Sequence, residues 1–257
     1  MRHSSADVLE LLRQEFNRRI ATGAVIVSNA TQEMIGGHRG DAEWIKDNFS
    51  TLVEGIQQRA YEIYLASEHV AGGSALRKVL AQIADHDAAD AVLTALEENF
   101  VALDRFFLGL AQGRRPRAGA AFELVIKDLF TELGYPFTAR PQIDGRPDFV
   151  LPSVEHYRLH PLDCVIFTVK RTLRERWRQI VTEGTRALGF YLATIDENVS
   201  AGDLKDMVRS KIYLVVPKRI KAAVPADAGA ASVLDFETFF EHHLDPAMRR
   251  WTSAGLV

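Results

Sequence analysis

From Ala6 to about Leu110 the apolar residues recur at helical spacing. Val8, Leu12, Phe16 and Ile20 stand four apart, which puts them on one face of a helix. A second stripe runs through Ile45, Phe49, Leu52, Val53, Ile56, Ala60 and Ile63. It is entered from the turn Gly36-Gly37-His38-Arg39-Gly40, Asp41 is available as its cap, and Gly72-Gly73 is expected to close it. Shorter helices are predicted around Leu76, Val79, Leu80 and Ile83, then from Val92 through Leu96, Phe100, Leu103 and Phe107 to a stop near Gly113. Strand patterns are nearly absent from this stretch.

After Gly113 helices alternate with short apolar runs, the pattern of an α/β core. A helix carrying Phe122, Val125, Ile126, Leu129 and Leu133 ends at Gly134, a natural left-handed terminator. Strands are predicted over Asp148-Phe149-Val150-Leu151, after the Asp144-Gly145 turn signal, and over the run Cys164 to Val169. A helix with Leu173, Trp177, Ile180, Val181 and Gly184 on its inner face leads to a strand from Phe190 to Ile195. A short helix near Leu204, a strand Ile212 to Val216 ended by Pro217, and a helix around Phe236 to His243 complete the order. The chain therefore divides into a helical N-terminal region, residues 1–112, and a mixed core, residues 113–257.

With 257 residues, 47% of them hydrophobic, the chain can bury an ordinary core. No apolar run is long enough to span a bilayer and the Met1 end has no leader pattern, so a soluble, cytoplasmic protein is expected. The single cysteine, Cys164, excludes an internal disulfide and argues against a thiolate zinc site. A net charge of −3 excludes a protein that coats nucleic acid over its whole surface, but not a local basic cleft. Two segments are locally basic: Arg114-Arg115-Pro116-Arg117, and the run Lys170 to Arg178 with Arg171, Arg174 and Arg176 against the one acid Glu175.

Phosphodiester hydrolysis needs carboxylates to hold a divalent cation, a poised water, and a cation to offset charge developing at phosphorus. Pro147-Asp148 opens one predicted strand and Lys170 ends the next, so adjacent strands bring a carboxylate and an ammonium to one sheet edge. Period two sets Thr168 on the same face as Lys170. Glu183, thirteen residues beyond Lys170, shares a helix face with Arg176 and Gln179. Glu123 lies one step round from an apolar stripe, at the border of its buried face.

These residues resemble the type II restriction endonucleases that recognise CC…GG sites, the group of EcoRII-like catalytic domains, PspGI-like and NgoMIV-like enzymes. The resemblance covers roughly Arg117 to Pro217. It is carried by Arg117-Ala118-Gly119 leading to Glu123, by Pro147-Asp148-Phe149 with Pro152-Ser153 and Tyr157, and by Val169-Lys170 with Arg174-Glu175-Arg176-Trp177-Arg178-Gln179-Ile180 and Glu183. It implies a PD-(D/E)xK nuclease core, a mixed central sheet flanked by helices. In that pattern an acid stands where this chain has Thr168, and the group is known for a glutamate relocated to the following helix, here Glu183. By this likeness Asp148 and Glu183 ligate Mg²⁺, Lys170 orients or activates water, and Glu123 supports the metal or the water. The segment Arg174-Glu175-Arg176 would read bases, since arginine matches guanine O6 and N7 and glutamate accepts from cytosine N4. Arg117 and Arg178 are the further DNA-contact candidates. The implied partner is double-stranded DNA, with a homodimer expected for a two-fold symmetric site and a tetramer as an option.

Each residue also has a plain structural reading. Asp148 could cap a turn, Lys170 could be a solvated edge charge, Glu183 could pair with Arg186, and Thr172 with Glu175 fits a helix capping box. Trp44 and Tyr61, aromatic surfaces for an extruded base, read better as core. His156 and His160 show no metal spacing, His242-His243 reads as surface, and Tyr157 is as readily a packed side chain. Two other functions compete: a structure-specific repair or recombination nuclease of the same fold, and a DNA-binding module without cleavage.

Overall fold

The computed structural model describes residues 4–83, 89–143, 145–173, 190–225 and 230–257. It divides into two compact units, one of residues 1–26 and 59–118, the other of residues 27–58 and 119–257. The dividing points fall inside helices α2 (Gly23–Ile35), α4 (Phe49–Ile83) and α6 (Phe100–Glu132). Among the described residues no helix is long and apolar enough to cross a membrane.

The first unit is helical. Helix α1 (Ser5–Asn17) begins with a reciprocal capping box, in which the Ser4 hydroxyl accepts from the Asp7 N–H and the Asp7 carboxylate accepts from the Ser4 N–H. Its predicted stripe, Val8, Leu12 and Phe16, is buried against Ala71, Ala75 and Val79 of α4 and Ala102 and Phe106 of α6. Glu15 is buried beside that core and is met by Lys78 at 2.7 Å, Arg18 at 2.9 Å and Arg19.

Both helices outrun their sequence-predicted ends. Helix α4 passes straight through Gly72-Gly73, and α6 through Gly113 and Pro116. A helical glycine costs roughly 1 kcal/mol and a helical proline about 3 kcal/mol. Those penalties are outweighed because apolar residues are buried on both sides of each break: Ala71, Ala75 and Val79 around the glycine pair, and Ala102 and Phe106 before, then Phe122, Val125, Ile126 and Leu129 after, Pro116.

The second unit is built on a six-stranded mixed sheet in sequence order: β1 (Thr138–Ala139), β2 (Phe149–Leu151), β3 (Val165–Val169), β4 (Phe190–Ala193), β5 (Ile212–Val216) and β6 (Val233–Asp235). β2 runs antiparallel to both β1 and β3, whereas β3, β4, β5 and β6 run parallel to one another. Strands β2, β3, β4 and β6 are buried on both faces, as the continuous apolar runs of β3 and β4 predict. One face, with Val150, Ile166, Leu192 and Leu214, packs against Leu204 and Met207 of α8 (Ala201–Arg209; α7, Val154–Leu159, precedes β3) and Ile220 of α9 (Lys218–Ala222).

The other face is aromatic. Phe130 of α6 sits within 5.4–6.4 Å, ring to ring, of Phe49, Tyr135, Phe137, Phe149, Phe167 and Phe240. Phe236 and Phe239 come from α10 (Phe236–Phe239), which continues through a π turn (Phe240–Leu244) into α11 (Asp245–Ser253), where Trp251 is fully buried. Residues 27–58, which the sequence pattern grouped with the N-terminal helices, cluster with this unit because Phe49 packs on Phe236 and Phe240. Polar ties reinforce the link. The Ser50 N–H and hydroxyl donate to Glu237 at 2.9 and 2.6 Å, and Lys46, of α3 (Ala42–Asp47), donates to Asp245 at 2.7 Å.

The predicted strands at 148–151, 164–169 and 190–195 are present with one end trimmed by one or two residues, and that at 212–216 is present in full. Gly134 and Gly145 are left-handed at φ +69° and +80°, as the turn signals require; Asp144 lies outside the described residues. Strands β1 and β6 carry no pattern in so few residues. Cys164 is buried in the core as read, and Tyr157, half-buried, packs against the core. His243 does not stand on the surface. Its Nδ1 lies 2.9 Å from the Tyr191 hydroxyl, the ring packs beside Tyr213 and Phe239, and burial lowers its pKa.

Phe130→Ala should destabilise the protein by about 3–5 kcal/mol in denaturant titrations, the range for emptying a buried aromatic site. Hydrogen bonds from Lys78 and Arg19 hold Glu15 down to about 2, below its ordinary value of 4.5. Its stabilising contribution is therefore complete above the unfolded-state value and disappears as pH falls toward 2. Thermal melts of wild type and Glu15→Gln should differ most near neutral pH and converge toward pH 2.

Candidate active site

Three of the predicted residues meet at the end of β2 and β3. The register pairs Phe149 with Phe167 and Val150 with Ile166. Continued by one residue, it sets Asp148 opposite Thr168, with Lys170 following on the same face. Asp148 Oδ2 accepts from the Thr168 hydroxyl at 2.8 Å, from the Val169 N–H at 2.8 Å and from Lys170 Nζ at 3.4 Å. The Lys170 N–H donates to the Ala193 carbonyl at 2.9 Å, so the β3–β4 ladder still fixes the root of this side chain. Thr168 is buried, while Lys170 keeps a third of its side chain in solvent. The ammonium is thus anchored at its base and open at its tip.

Glu123 reaches the same end of the sheet from α6. Both its oxygens are taken by Arg140, whose Nε and Nη2 donate to Oε1 and Oε2 at 2.7 and 2.8 Å. Arg140 follows β1, and its N–H donates to the Asp148 carbonyl at 2.8 Å, extending the β1–β2 pairing to the residue that carries the carboxylate. Its backbone is left-handed at φ +47°, a conformation that costs a non-glycine residue about 1 kcal/mol or more. Glu123, and more weakly the charge of Asp148, push the Arg140 guanidinium above its ordinary pKa. Arg140 escaped the sequence reading because its two partners are distant in sequence and β1 is too short to show a period.

Among the described residues, the Thr168 hydroxyl, the Val169 N–H and the Lys170 ammonium all donate to the same oxygen of Asp148, Oδ2. Carboxylate oxygens are the donors a hard divalent cation takes, and Asp148 with Glu123 fits that chemistry. Among the described residues no group of three or more His, Cys, Asp or Glu side chains is placed to hold a metal ion. Glu183, the third predicted carboxylate, lies outside the described residues, as do Arg174, Glu175, Arg176 and Arg178.

Arg117 belongs to the helical unit. Its guanidinium donates to the Tyr64 hydroxyl at 2.6 Å and lies 5.3 Å from the centre of that ring; Tyr64 in turn donates to the buried Glu68, which Arg114 also meets. Burial, then the Glu68 bond, raise the Tyr64 hydroxyl to about 12. Trp44 and Tyr61 are not core residues: Trp44 is half-buried and stacks on His38 at 3.9 Å, and Tyr61 is exposed. Neither helix face turns those rings inward, since Ile45 and Ala60 take the buried positions beside them. His156 pairs with Asp163 at 3.0 Å.

A mixed sheet with helices on both faces and a carboxylate–lysine pair where two central strands end is the restriction-endonuclease-like fold. The chain overlays on metal-depleted Ecl18kI in complex with uncleaved DNA with a TM-score of 0.78 at 23% identity, covering 97% of this chain and 86% of that one. A PspGI–substrate DNA complex overlays with a TM-score of 0.64 at 18% identity, covering 93% of this chain and 96% of the other. The family model for the EcoRII C-terminal domain matches residues 80–240, and the chain belongs to that family. It is 32% identical over 143 residues to the type II restriction enzyme EcoRII of Escherichia coli, a match covering 52% of this chain and 35% of the relative. It is 30% identical over 120 residues to the type II restriction enzyme SsoII of Shigella sonnei, covering 42% of this chain and 39% of the relative. The matches thus span little more than a third of those relatives.

Thr168→Val keeps the β-branched shape and removes the hydroxyl that donates to Asp148. Stability should fall by about 1–2 kcal/mol, because the half-buried carboxylate loses one charge-assisted bond but keeps the Val169 N–H. Equilibrium unfolding in urea reads that difference.

Proposed function

We propose that the chain is a type II restriction endonuclease that hydrolyses double-stranded DNA at a site containing CC…GG. The observation that carries this reading is the Asp148 carboxylate, locked by Thr168 and Val169 against the Lys170 ammonium at a sheet end, in a chain of the EcoRII C-terminal family. The type II restriction enzymes among its relatives and the DNA complexes among its structural neighbours support the substrate class.

In this reading Asp148 and Glu183 would ligate Mg²⁺, and Glu123 would support the metal or the water. Bound there, the ion supplies positive charge beside the scissile phosphate and lowers the pKa of coordinated water. The chain's own residues do the rest. Thr168 and Val169 hold Asp148 in place by donating to its Oδ2. Lys170, anchored by the strand and open at its tip, orients the attacking water and offsets charge on the phosphoryl oxygens. The water oxygen bonds to phosphorus as the bond to the 3′ oxygen breaks; that oxygen leaves as the 3′-hydroxyl after taking a proton, and the 5′-phosphate stays on the other fragment. Base reading is assigned to Arg174-Glu175-Arg176, with Arg178 and Arg117 on the DNA backbone. Arg174-Glu175-Arg176 follows Lys170 closely in the chain, which couples reading to cutting. A two-fold symmetric site calls for two centres, hence a homodimer, and the helical residues 1–112 serve DNA clamping or dimer formation.

Digestion of a plasmid with Mg²⁺, with sequencing of the ends, tests this. Discrete fragments with 5′-phosphates from a shared CC…GG site are expected, and Lys170→Ala should cut at least about a hundredfold more slowly. Structure-dependent nicks would favour a repair nuclease, and binding without cutting in any divalent metal would favour a non-cleaving module.

A further inference from the structure

Arg140 is an unusual neighbour for a metal ligand. It has a fully formed two-pronged ion pair with Glu123, at 2.7 and 2.8 Å, that occupies both carboxylate oxygens. Planar forks of this kind are the strongest and most directional of ion pairs. The pairing is also built in by the backbone. The left-handed φ of +47° turns the chain just beyond β1, and the N–H bond to the Asp148 carbonyl clamps that turn to the strand carrying Asp148. Yet the guanidinium side chain remains 71% exposed, against 18% for Glu123. A cation held by its root and open at its head can let go without unfolding anything.

We propose that Arg140 is a latch on Glu123, a positioning residue that competes with the divalent cation for this carboxylate in the DNA-free protein. A carboxylate whose two oxygens are engaged by a guanidinium offers a metal ion a poor ligand, and the charge it would contribute is already neutralised. Glu123 becomes available when the fork opens. The same guanidinium, freed at the exposed end, matches a phosphate in shape and charge, so an approaching anion favours the open state. Arg140 thereby keeps an acidic centre neutral while no substrate is present. This inference rests on the nuclease reading of the centre.

Binding of Mn²⁺ to the DNA-free protein, with the free ion counted by electron paramagnetic resonance, separates the two ideas. Arg140→Gln should bind Mn²⁺ roughly fivefold more tightly than wild type, the size expected for release of one partly exposed ion pair. The gain should vanish in the double variant Arg140→Gln/Glu123→Gln, which should match Glu123→Gln alone. Arg140→Gly removes the guanidinium while suiting the left-handed backbone, and should reproduce the gain if the glutamine variant folds poorly. Equal or weaker Mn²⁺ binding in both Arg140 variants, or a gain that persists without Glu123, overturns the latch. Plasmid cutting by wild type in Mg²⁺ is scored separately. Cutting with no gain in Mn²⁺ affinity removes the latch alone, whereas absence of cutting removes the nuclease reading and the latch with it.

Discussion

The antiparallel pairing of β2 with β3 is the constraint on which the site depends. Phe149 against Phe167 and Val150 against Ile166 send aromatic side chains to one face and aliphatic ones to the other. That same register puts the Asp148 carboxylate opposite the Thr168 hydroxyl, two residues from Lys170. Side chains alternate with period two, so a slip of one residue would exchange the two faces, burying polar groups and separating the carboxylate from the ammonium. The packing on both faces forbids the slip, and the chemistry inherits its precision from hydrophobic contacts.

Around that pairing the centre is held in layers. The backbone of β4 secures Lys170 through its N–H, and the backbone of β3 secures Asp148 through Val169. On the outer side β1 delivers Arg140, and α6 delivers Glu123 from a helix whose neighbouring turns bury Phe122, Val125 and Ile126. Each charged group thus rises from a backbone position that the core cannot release cheaply. Lys170 and Arg140 are the more exposed of these groups, whereas Asp148 and Glu123 are largely covered.

The long helices show how tertiary burial overrides local preference. Gly72-Gly73, Gly113 and Pro116 are stop signals by propensity, worth about 1–3 kcal/mol each. Helices α4 and α6 continue through them because their flanking turns bury apolar residues on both sides. The consequence is a division of the chain that no linear boundary describes: residues 27–58 join the sheet-bearing unit through Phe49, Ser50 and Lys46, although their pattern is as helical as that of their neighbours.

The sequence by itself determined the helical and mixed halves, the central strands and the Asp148–Lys170 pair. Those features are written in local pattern: continuous apolar runs in β3 and β4, helical stripes in α1 and α6, and a Pro-Asp strand followed by a strand ending in lysine. The family likeness extended this to Glu123 and Glu183. Tertiary structure alone decided that Thr168, the departure from the strand acid, donates its hydroxyl to Asp148, and that Glu123 is held by Arg140 rather than standing open. It also placed His243 among tyrosines and Trp44 on His38. The bonds to Asp148, Glu123 and His243 join residues far apart in the chain, so they exist only once burial has fixed which elements lie side by side.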